Sequence, residues 1–204
     1  MEIKDRIIQA AATLFLRNGI RSVSMDDIAT ELAMSKKTLY KWFANKDQIV
    51  HAVMERHLTV RQGECEVMNQ HVSSAIEELL IMLDWAKKQF GEVHPSIFYD
   101  LRKFYPNSWQ LWLSFKNKFI INQIETNLRR GIAEGLYRAD LDVDVLARLR
   151  LAEIELGFDQ ELYPPHQFDS QRVQLVHAEH FMLGLVTLEG FKLIQNYRHL
   201  TATE

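Results

Sequence analysis

Apolar residues recur every three to four positions along most of the chain, and no stretch alternates apolar with polar for long. That period predicts helices throughout. Ile3, Ile7, Ala11 and Leu14 fall on one face of a first helix, which Asn18-Gly19 ends because both residues tolerate the left-handed conformation at a helix C-terminus. Ser24 with Asp27 three residues on is a capping-box pattern that starts a second helix through Leu32. The chain turns around Ala33-Met34, and Ser35 is placed to cap a short third helix through Phe43. Asn45 with Gln48 marks the start of a long fourth helix to about Gln70. Further helices are expected near 72–91, 95–104, 107–133, 143–160 and 171–198, punctuated by His94-Pro95, Tyr105-Pro106 and Pro164-Pro165. Residues 135–142 read as a loop. The expected fold is all-α, with a three-helix helix-turn-helix head over residues 1–46 and a helical body over 47–204.

Composition adds limits. The 204 residues are 47% apolar and 25% charged, as in globular proteins. No apolar run approaches the roughly 18 residues of a membrane span, so no membrane partner is expected. The first residues lack the apolar stretch of a secretory signal, and the lone Cys65 cannot form an internal disulfide, so a cytoplasmic location is expected. Net charge is −3, but it is unevenly spread. Residues 1–50 carry eight Lys/Arg against six Asp/Glu, a net of +2, and the remainder 16 against 21, a net of −5. A basic head on an acidic body suits duplex binding by the head.

The third helix carries the chemistry. Ser35, Lys36, Lys37, Thr38 and Lys41 make one side polar and basic, while Leu39 and Phe43 make the other apolar. With the apolar side packed on Ile28 and Leu32, the polar side is free to enter a major groove, where Lys36 and Lys37 reach guanine acceptors and the short Ser35 and Thr38 permit close approach. Tyr40, Lys41 and Lys46 are placed for phosphate contacts, as are backbone amides near Ser24 and Met25. Solvated surface lysines are the plain alternative for any one of these cations.

Residues 3–50 closely resemble the head of the tetracycline-repressor (TetR) family, on Phe15, Gly19, Ser24, Ile28-Ala29, Ser35, Leu39-Tyr40, Phe43 and Lys46. The resemblance implies a dimeric repressor of a palindromic operator, released by a small-molecule effector. It also implies that Tyr40 and Lys46 hold DNA backbone while the start of the third helix reads bases. Ala33 departs from the glycine usual in the family. If the turn needs a left-handed residue there, alanine costs roughly 1 kcal/mol.

Of 21 Phe, Trp and Tyr residues, ten fall between Trp85 and Phe119. Trp85, Phe98, Trp109, Trp112, Phe115 and Phe119, with His94, Asp100 and Arg102 as polar partners, either line an apolar effector cavity or fill a core. The family resemblance favours the cavity. His177, Phe181, Leu185 and Leu188 approximate a stripe on the last helix, with Gly184 beside it; together with Leu151 on the preceding helix they are the dimer interface that the family resemblance implies, with a buried core helix as the alternative. No Gly-rich phosphate loop or nucleophile elbow is present, so no enzyme activity or cofactor is expected. His177 and His180 lack a visible third ligand, and no metal is expected. Two rivals remain: a helical small-molecule-binding protein whose head is inactive, and a non-specific DNA-packaging protein.

Overall fold

The computed structural model describes residues 2–69, 72–90, 94 and 96–201, with the side chains of 69, 86–90 and 198–201 outside the description. The expected helix end at Gln70, the side chain of Phe90 and the break at Pro95 lie outside the described residues. Eleven α-helices are described: α1 (Ile3–Asn18), α2 (Met25–Glu31), α3 (Lys36–Tyr40), α4 (Lys46–Asn69), α5 (Ala75–Phe90), α6 (Ile97–Phe104), α7 (Pro106–Phe115), α8 (Ile121–Ala133), α9 (Val143–Leu156), α10 (Ser170–Leu185) and α11 (Leu188–Thr201). A π-helical segment, Lys116–Ile120, joins α7 to α8. Among the described residues there is no strand, only one antiparallel bridge between Tyr137 and Val186. The fold class is all-α.

Local side-chain chemistry sets the head's helices. Gly19 ends α1 with φ 79, and its amide donates to Phe15 O. The Ser24 hydroxyl accepts from the Asp27 amide while Asp27 accepts from the Ser24 amide, a complete capping box. At the other end of α2, Ala33 N–H bonds Thr30 O and Met34 N–H bonds Ala29 O, both at 2.9 Å. This is the Schellman pattern, and it places Ala33 at φ 49. Asn45 Oδ1 accepts from Gln48 N at 3.0 Å, and Gln48 Oε1 accepts from Ala44 N at 2.8 Å, which fixes the entry to α4.

The third helix is shorter than the expected Ser35–Phe43. After Tyr40 the bonds tighten, with Trp42 N donating to Leu39 O at 3.0 Å, and the chain turns into the cap of α4. The 107–133 helix starts at Pro106, a proline at the first helical position where no amide is needed, and is interrupted by the π segment. The helix expected over 171–198 is two. Val186 leaves the helical conformation because Arg138 N takes Leu185 O and Thr187 N takes Leu136 O, each at 2.9 Å. The intended stripe His177–Phe181–Leu185–Leu188 is thereby broken between its last two members. The 135–142 loop is not simply solvated: Tyr137 is buried against Gly131, and its hydroxyl donates to Asn127 Oδ1 at 3.0 Å.

The chain divides into two compact units, Met1–Gly63 with Glu92–Phe115, and Glu64–Gly91 with Lys116–Glu204. The first is larger than the 1–46 head read from sequence, because α6 and α7 belong to it. Its core packs Ile7, Phe15, Ile28, Leu39, Ile49 and Val50 with Ile97 and Leu101 of α6. Each such buried side chain is worth about 1.5–3 kcal/mol relative to exposure. The second unit packs Ile76, Leu128, Tyr137, Met182, Leu185 and Ile194.

Candidate nucleic-acid interface

The short α3 presents what the sequence expected. Leu39 and Phe43 are buried against the head, while Lys36, Lys37, Tyr40 and Lys41 are exposed and Thr38 half-exposed. The Ser35 hydroxyl is engaged as the N-cap, accepting from Thr38 N at 3.1 Å. Lys36 pairs with Asp26 of α2 at 2.8 Å, a hydrogen bond that raises its pKa. Both partners are largely solvated, so the pair is worth little and yields easily to a phosphate. Lys37 and Lys41 make no ion pair among the described residues, which leaves two free cations on the polar side.

Three residues read as phosphate contacts, Ser24, Met25 and Lys46, are engaged within the head. The Ser24 amide and hydroxyl both donate to Asp27 Oδ2 at 2.7 Å, and the Met25 side chain is buried. Lys46 lies half-buried, with its ammonium about equally over the rings of Phe15 (5.9 Å) and Tyr105 (6.0 Å) and donating to Arg21 O at 3.3 Å. Desolvation lowers its pKa, while the charges of Asp100 and Asp27 oppose the shift. Tyr105, beside it, has its phenol pushed up by burial.

The aromatic set splits. Phe98 meets Trp112 edge-to-face at 5.2 Å, and Trp112 lies 6.2 Å from Phe115, all within the first unit. Trp109 packs against the head's core instead. Trp85 and Phe119 belong to the second unit. Two of the expected polar partners, His94 and Asp100, bond within the first unit. His94 Nδ1 bonds Ser96, and the pair covers Gly19, where a Cβ would come within 2.6 Å of Ser96 Oγ. Asp100 is buried, with Oδ2 accepting from Arg21 N at 3.0 Å and from Ser96 Oγ at 3.2 Å; Arg102 is exposed. Sequence reading missed Ser108, fully buried one turn before Trp112. Neither the Ser108 hydroxyl nor the Trp112 indole N–H has a hydrogen-bond partner among the described residues. A serine on a helix carries no periodic signal that could have singled it out.

The expected dimer residues also divide. Leu151, Phe181 and Leu185 are buried in the chain's own second unit. His177 is held by Glu153 O at 3.0 Å and Tyr163 Oη at 2.9 Å. Gly184 and Leu188 are exposed. The apolar residues left open on α9 and α10 are Val145, Leu149 and Leu156 with Val176 and Leu183. Among the described residues no group of three His, Cys, Asp or Glu could hold a metal ion, and no helix is long and apolar enough to cross a membrane.

Residues 7–53 match the family model for bacterial regulatory proteins of the tetR family. Over those residues the chain is similar to the tetR family. It is 28% identical over 148 residues to the HTH-type transcriptional repressor KstR2 of Mycolicibacterium smegmatis, covering 71% of this chain and 72% of that protein. The fold is shared with a TetR-family regulator from Agrobacterium tumefaciens (TM-score 0.75, 16% identity, 90% of this chain and 97% of that one). It is also shared with a putative regulator from Saccharomonospora viridis solved with choline (TM-score 0.73, 21% identity, 90% and 97%). The chain is a transcription regulator with a helix-turn-helix DNA-binding head.

Proposed function

We propose that the protein is a repressor that binds a palindromic operator as a homodimer and releases it when a small molecule enters the first unit. The observation that carries the reading is α3: a short capped helix whose apolar side is buried in the head while Lys37, Tyr40 and Lys41 stand free on the other. In this reading Lys36, Lys37 and Thr38 face base edges, and Tyr40 and Lys41 face phosphates. Lys46 contributes charge from its seat on Arg21. A single head makes few base contacts, and a two-fold pair reads two half-sites. The open apolar faces of α9 and α10, with Gly184, support a four-helix dimer contact.

The effector reading rests on Phe98, Trp112 and Phe115, with the unpaired Ser108 hydroxyl and Trp112 N–H as donors. A buried polar group without a partner costs about 1–3 kcal/mol, so a ligand oxygen that accepts from either is favoured there. Release follows only if the ligand binds the DNA-free conformation more tightly. Selection from a random duplex pool by the purified protein tests the whole reading. Enrichment of a two-fold palindrome supports it; recovery of unenriched DNA removes the specific regulator and leaves the aromatic group as the working part.

A further inference from the structure

α6 presents two faces within the first unit. One is buried, through Ile97, Asp100 and Leu101. The other carries Tyr99 and Phe104, large rings left 47% and 38% exposed, with basic side chains laid on them. Lys103 Nζ lies 5.0 Å from the Tyr99 ring centroid and 5.5 Å from that of Phe104, and donates to Tyr99 Oη at 2.6 Å. The Arg21 guanidinium lies 5.0 Å from the Phe104 centroid. The Arg21 carbonyl in turn receives Lys46 Nζ at 3.3 Å. Three cations thus follow one another from the start of α4 across the turn before α2 to the outer face of α6.

We propose that Arg21 and Lys103, held on Phe104 and Tyr99, form a second phosphate-contact strip that extends the duplex interface from Lys46 onto α6. The proposal rests on the DNA-binding reading and adds to it residues outside the helix-turn-helix. Charge complementarity selects a polyanion. Among the described residues neither Arg21 nor Lys103 makes an ion pair. Asp100, whose charge acts on Lys46, is buried and already accepts from Arg21 N and Ser96 Oγ. Continuity with Lys46 selects the same duplex that α3 engages. Holding long basic side chains on rings also reduces the conformational freedom they lose on binding. The backbone bonds of Arg21 fix the strip's position and do not depend on its guanidinium.

The test uses the full-length protein and a random-sequence duplex of about 30 base pairs, with affinity measured by anisotropy between about 50 and 200 mM salt. Lys103→Gln and Arg21→Gln are each expected to weaken binding about three- to tenfold and to lower the slope of log affinity against log salt by about 0.9 per protein subunit. Arg102→Gln, which removes an equal charge from the same helix at an exposed site with no ring contact among the described residues, is expected to leave the slope nearly unchanged. Unchanged slopes in both strip variants overturn the proposal. So does an equal effect of Arg102→Gln, which reduces the result to net charge. A wild-type protein that holds no duplex at the lowest salt sinks the DNA-binding reading itself, an outcome distinct from a wild type that binds and a Lys103→Gln variant that binds equally well.

Discussion

Replacing Ala33 by glycine is expected to stabilise the head. Ala33 sits at φ 49, the left-handed residue of the Schellman turn that separates α2 from α3. An L residue with a Cβ pays about 1–2 kcal/mol for that conformation. Glycine removes the penalty but gives back about 0.5–1 kcal/mol through the greater freedom of the unfolded chain. The net gain is about 0.5–1 kcal/mol. In urea, with a slope of about 3 kcal/mol/M at most for a small protein, this moves the midpoint by at least about 0.2 M at constant slope. Because the chain divides into two units, a global melt need not be two-state. Hydrogen exchange over residues 25–43, followed by mass spectrometry, reads the local opening free energy directly. Gly63 supplies the mirror control. It lies inside α4, and a Cβ there meets nothing within 4 Å. Gly63→Ala is therefore expected to stabilise by about 1 kcal/mol through helix propensity. Opposite chemical changes thus stabilise at the two sites, for one backbone reason. A slower-opening wild type than Ala33→Gly, or equal opening of the two, refutes the reasoning.

The remaining predictions concern charge, packing and assembly. Asp27 has its carboxyl held below the usual range, first by the Ser24 hydroxyl and then by the Ser24 amide. Its contribution is complete above the unfolded value and fades as pH falls through the folded one, so wild-type stability drops on the acid side below about pH 4. Asp27→Asn is expected to flatten that limb in urea melts across pH. A Cβ on Gly131 would come within 2.1 Å of the Tyr137 ring, so Gly131→Ala should cost about 1–3 kcal/mol in denaturant unfolding. Tyr137→Phe leaves the Asn127 carbonyl without its buried donor and is expected to cost about 1–2 kcal/mol by the same measurement. Leu149→Glu, on the open face of α9, should give a monomer in sedimentation with helix content unchanged; a dimer of wild-type strength would remove that face from the interface.

The starts of α2, α3 and α4 were legible because a cap is a conversation between residues three apart. Ser24 with Asp27, Ser35 with Thr38 and Asn45 with Gln48 carry it entirely within the sequence. Ala33 was singled out by the family resemblance, as an alanine where glycine is usual, and it holds the left-handed conformation. The buried side of α3 followed from the spacing of Leu39 and Phe43.

What escaped the sequence depended on residues far apart along the chain. The break at Val186 arises because residues 136–138 capture Leu185 O and supply Leu136 O, and no local pattern around Val186 announces it. Leu151, Phe181 and Leu185 read as an interface because periodicity marks an apolar face without saying which partner covers it. Asp100 and Trp109 read as pocket residues, yet Arg21 N and the head's core hold them. The sequence alone determined the starts and caps of the head's helices and the basic side of α3, since these rest on neighbours within about one turn. Tertiary structure decided which faces were buried and that α6 and α7 joined the head. Those choices depend on matching apolar surfaces and hydrogen-bonding groups from distant segments, whose meeting a local period does not encode.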